Sequence, residues 1–257
     1  KMQTTIQKKS QDLTEGTIWR QLVLFALPLL GSSLIQQLYN TVDLLFVGNL
    51  LSKDSYAAVG ASSMIISCLV GFFTGMSVGS GVVISHAIGS RNRRMTQDSV
   101  HTAVGLSLAG GVILMIVGLI GAPYFLTWMH VDPRILTEAV SYLRIYFLSL
   151  TSVLTYNMAS GIIRSMGNSS VPMLTQLAGG IANVIADALL IRDLPCVESA
   201  AWASMISQSL AAWLCLLWLA RQEGDCRLYW RKIKIHRDIL QRIVRIGVPA
   251  GIQNLVI

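Results

Sequence analysis

Apolar stretches long enough to cross about 30 Å of hydrocarbon, roughly 20 residues each, recur along this chain with short polar breaks between them. They lie near Ile18 to Gly48, Tyr56 to Ile88, Val100 to Trp128, Ile135 to Ile163, Val171 to Ile191 and Ala200 to Ala220, and a seventh begins near Ile239. The breaks carry turn residues: Ser52-Lys53-Asp54, Gly89-Ser90-Arg91-Asn92, Asp132-Pro133 and Gly167-Asn168-Ser169-Ser170. The pattern predicts an all-α integral membrane protein, a six-transmembrane-helix bundle followed by the start of another helix.

Four segments follow from that reading. Residues 1–16 form a polar cytoplasmic tail, 17–220 the six-helix lobe, 221–238 a linker, and 239–257 the start of a second lobe. The linker alternates basic residues with Leu228, Tyr229, Trp230, Ile233 and Ile235, as expected of a segment lying on the inner membrane surface. Laying Pro28 on Pro249 pairs Leu22-Val23 with Ile243-Val244 and Ala26-Leu27-Pro28 with Gly247-Val248-Pro249. A restart after six spans is how transporters built from two parallel repeats look in sequence. It implies a longer protein with a missing carboxyl-terminal lobe, as does the lack of an initiator methionine.

Composition narrows the class. Hydrophobic residues make up 53% and charged residues 13%, against about 25% charged in soluble domains. The net charge of +7 is not gathered on one soluble face. Sixteen of the 20 Lys and Arg residues fall in the tail and in the loops after even-numbered spans, and only Lys53, Arg134 and Arg192 fall on the other side. That bias places the amino terminus in the cytoplasm, in a multi-pass protein of the cell inner (cytoplasmic) membrane. Anionic lipid explains the basic loops without nucleic acid. Arg144 lies inside the fourth span and is expected to snorkel outward. Cys68, Cys196, Cys215 and Cys226 form no Cys-x-x-Cys pair, and the four histidines are scattered, so neither disulfide nor metal centre is expected. No nucleotide-binding loop or nucleophile motif appears, so the chain is read as no enzyme, with no cofactor.

The candidate chemistry lies in two lone carboxylates. Asp43 and Asp187 stand inside apolar stretches, where a carboxylate costs about 2.5–3.5 kcal/mol on insertion scales and usually faces a bundle interior or watery cavity. Asn40 and Gln36 precede Asp43 by three and seven residues, and Asn183 and Gln176 precede Asp187 by four and eleven, each set on one helix face. If both acids ionise in one low-dielectric cavity, each raises the other's proton affinity, and a proton or Na⁺ relieves the repulsion. Oxygen ligands of this kind suit a hard cation. Buried polar clusters also serve simply as helix glue. Pro28 permits a kink in the first span. Gly71, Gly75 and Gly79, like Gly110, Gly118 and Gly121, are spaced for close helix contact. Met64, Met76, Met158, Met166 and Met173 are read as core or lipid-facing before cavity lining.

Several stretches together resemble the multidrug and toxic compound extrusion (MATE) family. They are Tyr39-Asn40-Thr41-Val42-Asp43, Phe46-Val47-Gly48, Ala57-Ala58-Val59-Gly60 and Ser85-His86-Ala87-Ile88-Gly89-Ser90, then Tyr142-Leu143-Arg144, Gly161 to Asn168 with Pro172, and Asn183-Val184-Ile185-Ala186-Asp187. The resemblance covers nearly all of Thr17 to Ile257. It implies one six-helix lobe of a twelve-helix antiporter that exports organic cations and amphipathic drugs in exchange for H⁺ or Na⁺. It also implies an amino-lobe cation site of Asp43, Tyr39, Asn183 and Asp187, joined by Tyr142 and Ser204, with Na⁺ admissible at Asp43, Asn183 and Asp187. The substrate cavity is expected to draw on Gln36, Asn40, Tyr142, Asn157 and Gln176. His86 replaces the family's usual glutamine, and the loop from Arg192 to Ser199 lacks its usual glycines. Two rivals stand beside this reading. A lipid-linked precursor flippase of the same superfamily would want a more cationic cavity than Arg144 and Arg164 supply. A non-transporting receptor or scaffold would bind ligand without regard to pH or Na⁺.

Overall fold

The computed structural model describes residues 18–50, 53–193 and 196–256. The described residues form seven α-helices and one short 3-10 turn: α1 (Ile18–Leu50), α2 (Lys53–Gly89), α3 (Arg93–Trp128), α4 (Pro133–Ser165), α5 (Ser170–Asp193), α6 (Val197–Arg221) and α7 (Arg237–Val256), with the turn at Trp230–Lys232. At 1.5 Å per residue, the 33 residues of α1 reach about 50 Å, longer than the hydrocarbon needs.

Local chemistry sets the ends of the helices. Asn92 caps α3 by accepting from the Met95 N–H, and Asp132 caps α4 by accepting from the Arg134 N–H, with Pro133 in the first turn where it needs no donor. Gly167 takes φ 79° after α4, and the Asn168 side chain accepts from the Ser170 and Val171 N–H groups at the start of α5. The third helix begins at Arg93, seven residues before the expected Val100. The Asn92 cap starts it there, so two polar turns precede the apolar span.

Helices α1, α2, α3, α5 and α6 are long and apolar enough to cross a membrane. With α4 among them, α1 to α6 form the expected six-helix bundle, and α7 begins the next segment. Helix α4, which carries Arg134, Glu138, Arg144 and Arg164, falls short of that apolarity, because Ser149, Thr151, Ser152, Thr155, Tyr156 and Asn157 dilute its apolar run; it packs against α2, α3 and α6. Leu143, Phe147, Leu150 and Leu154 of α4 are buried against Ala58 of α2 and Ala122 and Leu126 of α3. Leu27, Leu30, Leu34 and Leu38 on α1 are exposed, as are Trp19, Tyr124 and Trp128 near helix ends. Apolar side chains outside and polar groups within are what a bilayer solvent selects.

Helix α7 lies against α2 through glycines. A Cβ at Gly75 would strike the backbone of Ala250 and Gly251, and one at Gly79 would come within 2.7 Å of the Gly247 Cα. Gly118 is bare because the Phe147 ring occupies its side-chain space, whereas Gly110 faces open space. The linker is docked at the end of the bundle. Cys226 and Leu228 are buried, the Tyr229 N–H donates to His101 Nε2 at 3.1 Å, and the His236 N–H donates to Thr102 Oγ1 at 3.2 Å.

Candidate functional site

Helix α5 approaches two neighbours closely because of a glycine pair. Gly180 lies against the Tyr39 ring of α1, 3.2 Å from a built Cβ to Cδ1, and Gly179 lies against Ser207 and Ala211 of α6. Gln176, Asn183 and Asp187 share one face of α5 and are all buried, the last two completely. The face they present meets Tyr39 and Asp43 on α1 and Ser204 and Gln208 on α6.

Two linked centres result. At the first, the Tyr39 hydroxyl accepts from Gln176 Nε2 at 3.1 Å and from Gln208 Nε2 at 2.9 Å, with Gln36 alongside. One turn further along α1, Asp43 Oδ2 accepts from Ser204 Oγ at 3.3 Å. The carboxyls of Asp43 and Asp187 and the amide of Asn183 lie in direct interaction range of one another. Between two ionised carboxylates no hydrogen bond is possible, since neither has a proton to donate, whereas the Asn183 amide has donors to offer. Tyr142 of α4 is buried within electrostatic reach of both acids.

The cluster is under-satisfied. Asp43 Oδ1, both Asp187 oxygens, both polar atoms of the Asn183 amide and Gln176 Oε1 are buried without a hydrogen-bond partner. A buried polar atom left unpaired costs about 1–3 kcal/mol, and a charged one more. Chemically, so many orphaned atoms around two acids can accept a proton or a small hard cation. The oxygen-rich donor set agrees with that chemistry.

The other expected site residues divide. Gln36 is half-buried beside Tyr39, whereas Asn40 is exposed. Asn157 is placed elsewhere: its Nδ2 donates to the Val153 carbonyl at 2.9 Å, and its own carbonyl accepts from Ser77, which sets it on the α2–α4 contact. Pro28 lies within an α1 that continues unbroken through it, and its carbonyl accepts from Ser32 Oγ at 3.0 Å. Gln208 and Gly180 belong to the cluster and were missed in the sequence. The Ser204–Gln208 pair, one turn apart in an apolar run, was the available signal. Two of the methionines border different grooves, Met64 an apolar one with Trp128 and Phe147 and Met166 a polar one with Arg91 and Gln222, while Met76 and Met158 lie in the buried core.

Comparison with known proteins gives the family. A family model described as MatE matches residues 28–189. The chain is 26% identical over 98% of its length to the "Probable multidrug resistance protein YoeA" of Bacillus subtilis (strain 168), covering 55% of that protein. It is 24% identical over 92% of its length to the multidrug export protein MepA of Staphylococcus haemolyticus (strain JCSC1435), covering 52% of it. Among solved structures, "MATE in the bent conformation" matches with a TM-score of 0.88 at 25% identity, over 96% of this chain and 56% of that one. The chain thus spans about half the length of the relatives it matches. With the model match running from Pro28 through both site helices to Leu189, this multi-pass membrane chain belongs to the MatE family.

Proposed function

We infer that the protein to which this chain belongs is a cation-coupled antiporter of the cytoplasmic membrane, exporting organic cations and amphipathic drugs in exchange for H⁺ or Na⁺. The observation that carries the reading is the buried, unpaired set of Asp43, Asp187 and Asn183 oxygens between α1 and α5. An inward cation that neutralises the acids relieves both their mutual repulsion and their missing partners. Its departure restores the penalty, and that difference is available to bias α1 between packings. Ser204 and the Tyr39–Gln176–Gln208 network hold the pair in register from three helices. Multidrug names among the relatives support the substrate class. The basic ends of the even-numbered loops support a cytoplasmic amino terminus. Tyr142 and Gln176 border the site and Gln36 adjoins it, so these, with the two acids, are the residues on which a cationic drug would draw.

The test is drug efflux by the complete protein in everted vesicles carrying Asp43→Asn or Asp187→Asn. Each variant should lose at least about tenfold of ion-driven transport, the loss of roughly one charge-assisted interaction. Near-normal transport by both would defeat the proposal.

A further inference from the structure

Apart from the acid pair, a second group is unmatched inside the bundle. Arg164, in the last turn of α4, lines a cavity of about 400 Å³ between α2 and α4. Its Nη2 donates to Ser160 Oγ at 3.3 Å. Among the described residues no carboxylate lies within 4 Å of it, unlike Arg93, which pairs with Asp225 at 3.4 Å. A basic residue in the last turn complements the helix dipole, but that alone does not require it to border a cavity. The remaining guanidinium donors are not satisfied by protein, and a half-buried cation with open donors is a recognition element for an oxyanion.

The rest of the cavity fixes the kind of ligand. Thr74, Ser77 and Ser165 donate their hydroxyl protons to backbone carbonyls, which leaves Ser85 as the hydroxyl open beside Arg164. Along α2, Val78 and Val82 are about half exposed and continue the wall as an apolar track. Gly161 keeps the floor on α4 low. The open polar donors are therefore at the Ser85 and Arg164 end, and Val82 and Val78 continue along α2 from it. The end is the one where α2, α4 and α6 terminate and the basic loops gather. Tyr142, beside the acids, is 22 residues from Arg164 on α4, about 33 Å along a helix, so Arg164 is not the counter-ion of Asp43 or Asp187.

We propose that this cavity binds a phosphate group, held on Arg164 and Ser85; where the phosphate is a lipid headgroup, its apolar chain lies along Val78 and Val82. The phosphate is that of an anionic lipid headgroup or free phosphate, and the two sources are separable. This site stands whether or not the acid pair couples transport.

The complete protein, purified in detergent, is mixed with dioleoyl-phosphatidylglycerol or with dioleoyl-phosphatidylcholine, and retained lipid is counted by native mass spectrometry. The wild type should retain the anionic lipid in preference, Arg164→Gln should lower that retention about tenfold, and Arg164→Lys should keep most of it. Arg144→Gln, which alters a distant exposed arginine, should leave it unchanged. Displacement of the lipid by millimolar inorganic phosphate assigns the site to free phosphate; its failure to displace assigns it to the lipid. Should Arg164→Gln fold poorly, Val82→Trp fills the track and keeps the cation, and it should abolish retention. Equal retention by wild type and Arg164→Gln, equal loss in Arg144→Gln, or full retention in Val82→Trp overturns the proposal.

Discussion

The Tyr39 hydroxyl is the acceptor for two buried amide donors, from Gln176 and Gln208. Replacing it with phenylalanine keeps the ring against Gly180 and strands both donors, which should lower stability by about 1–3 kcal/mol. A drop in melting temperature of the purified protein, absent from a Gln37→Ala control on the exposed side of α1, is the expected result. The two acids were legible in the sequence because a charge inside an apolar run is expensive and therefore conspicuous. Gln208 and Gly180 were not, since an amide is cheaper to bury and a glycine is one of 21. Asn40 shows the limit of face arguments. Residues three and four before Asp43 differ by roughly 100° around the helix, and the fold turns Tyr39 inward and leaves Asn40 exposed. Only the position of α5 decides between them.

The contacts between elements rest on absent side chains and on a docked linker. Gly79→Ala would place a methyl against the Gly247 backbone, which cannot yield as a side chain can. Alanine there should therefore separate α2 from α7 and reduce the yield of folded protein, whereas alanine at Gly110, which faces open space, should be tolerated. Fluorescence-detected gel filtration distinguishes the two. The linker makes a second prediction. Cys226 is buried beside Asp225, and burial pushes its thiol up to about 12, so almost none is thiolate at pH 8. Maleimide should label it slowly, and His101→Ala, which removes the acceptor of the Tyr229 N–H, should speed labelling about tenfold as the linker loosens. Fast labelling in the unaltered protein would contradict the docking. The spans themselves were readable from hydropathy, but the early start of α3 and the docking of Tyr229 were not. The first depends on one cap residue and the second on a partner 128 positions away.

At the scale of the molecule, the chain is a bundle whose polar contents sit at opposite ends: the acid pair between α1 and α5, and Arg164 among the basic loops. Its family relatives are about twice as long as this chain, so the proposed transport is tested on the complete protein. The central claim is narrower: Asp43 and Asp187 form one cation site. It is tested most directly by measuring sodium and proton binding to the complete protein, by radioactive sodium scintillation and by dye-detected proton release. Wild type, Asp43→Asn, Asp187→Asn and the double variant are compared. Shared use of one ion predicts that either single change abolishes binding and that the double change adds nothing further. Unchanged ion binding in the double variant, or two independent partial losses that simply add, would contradict the account.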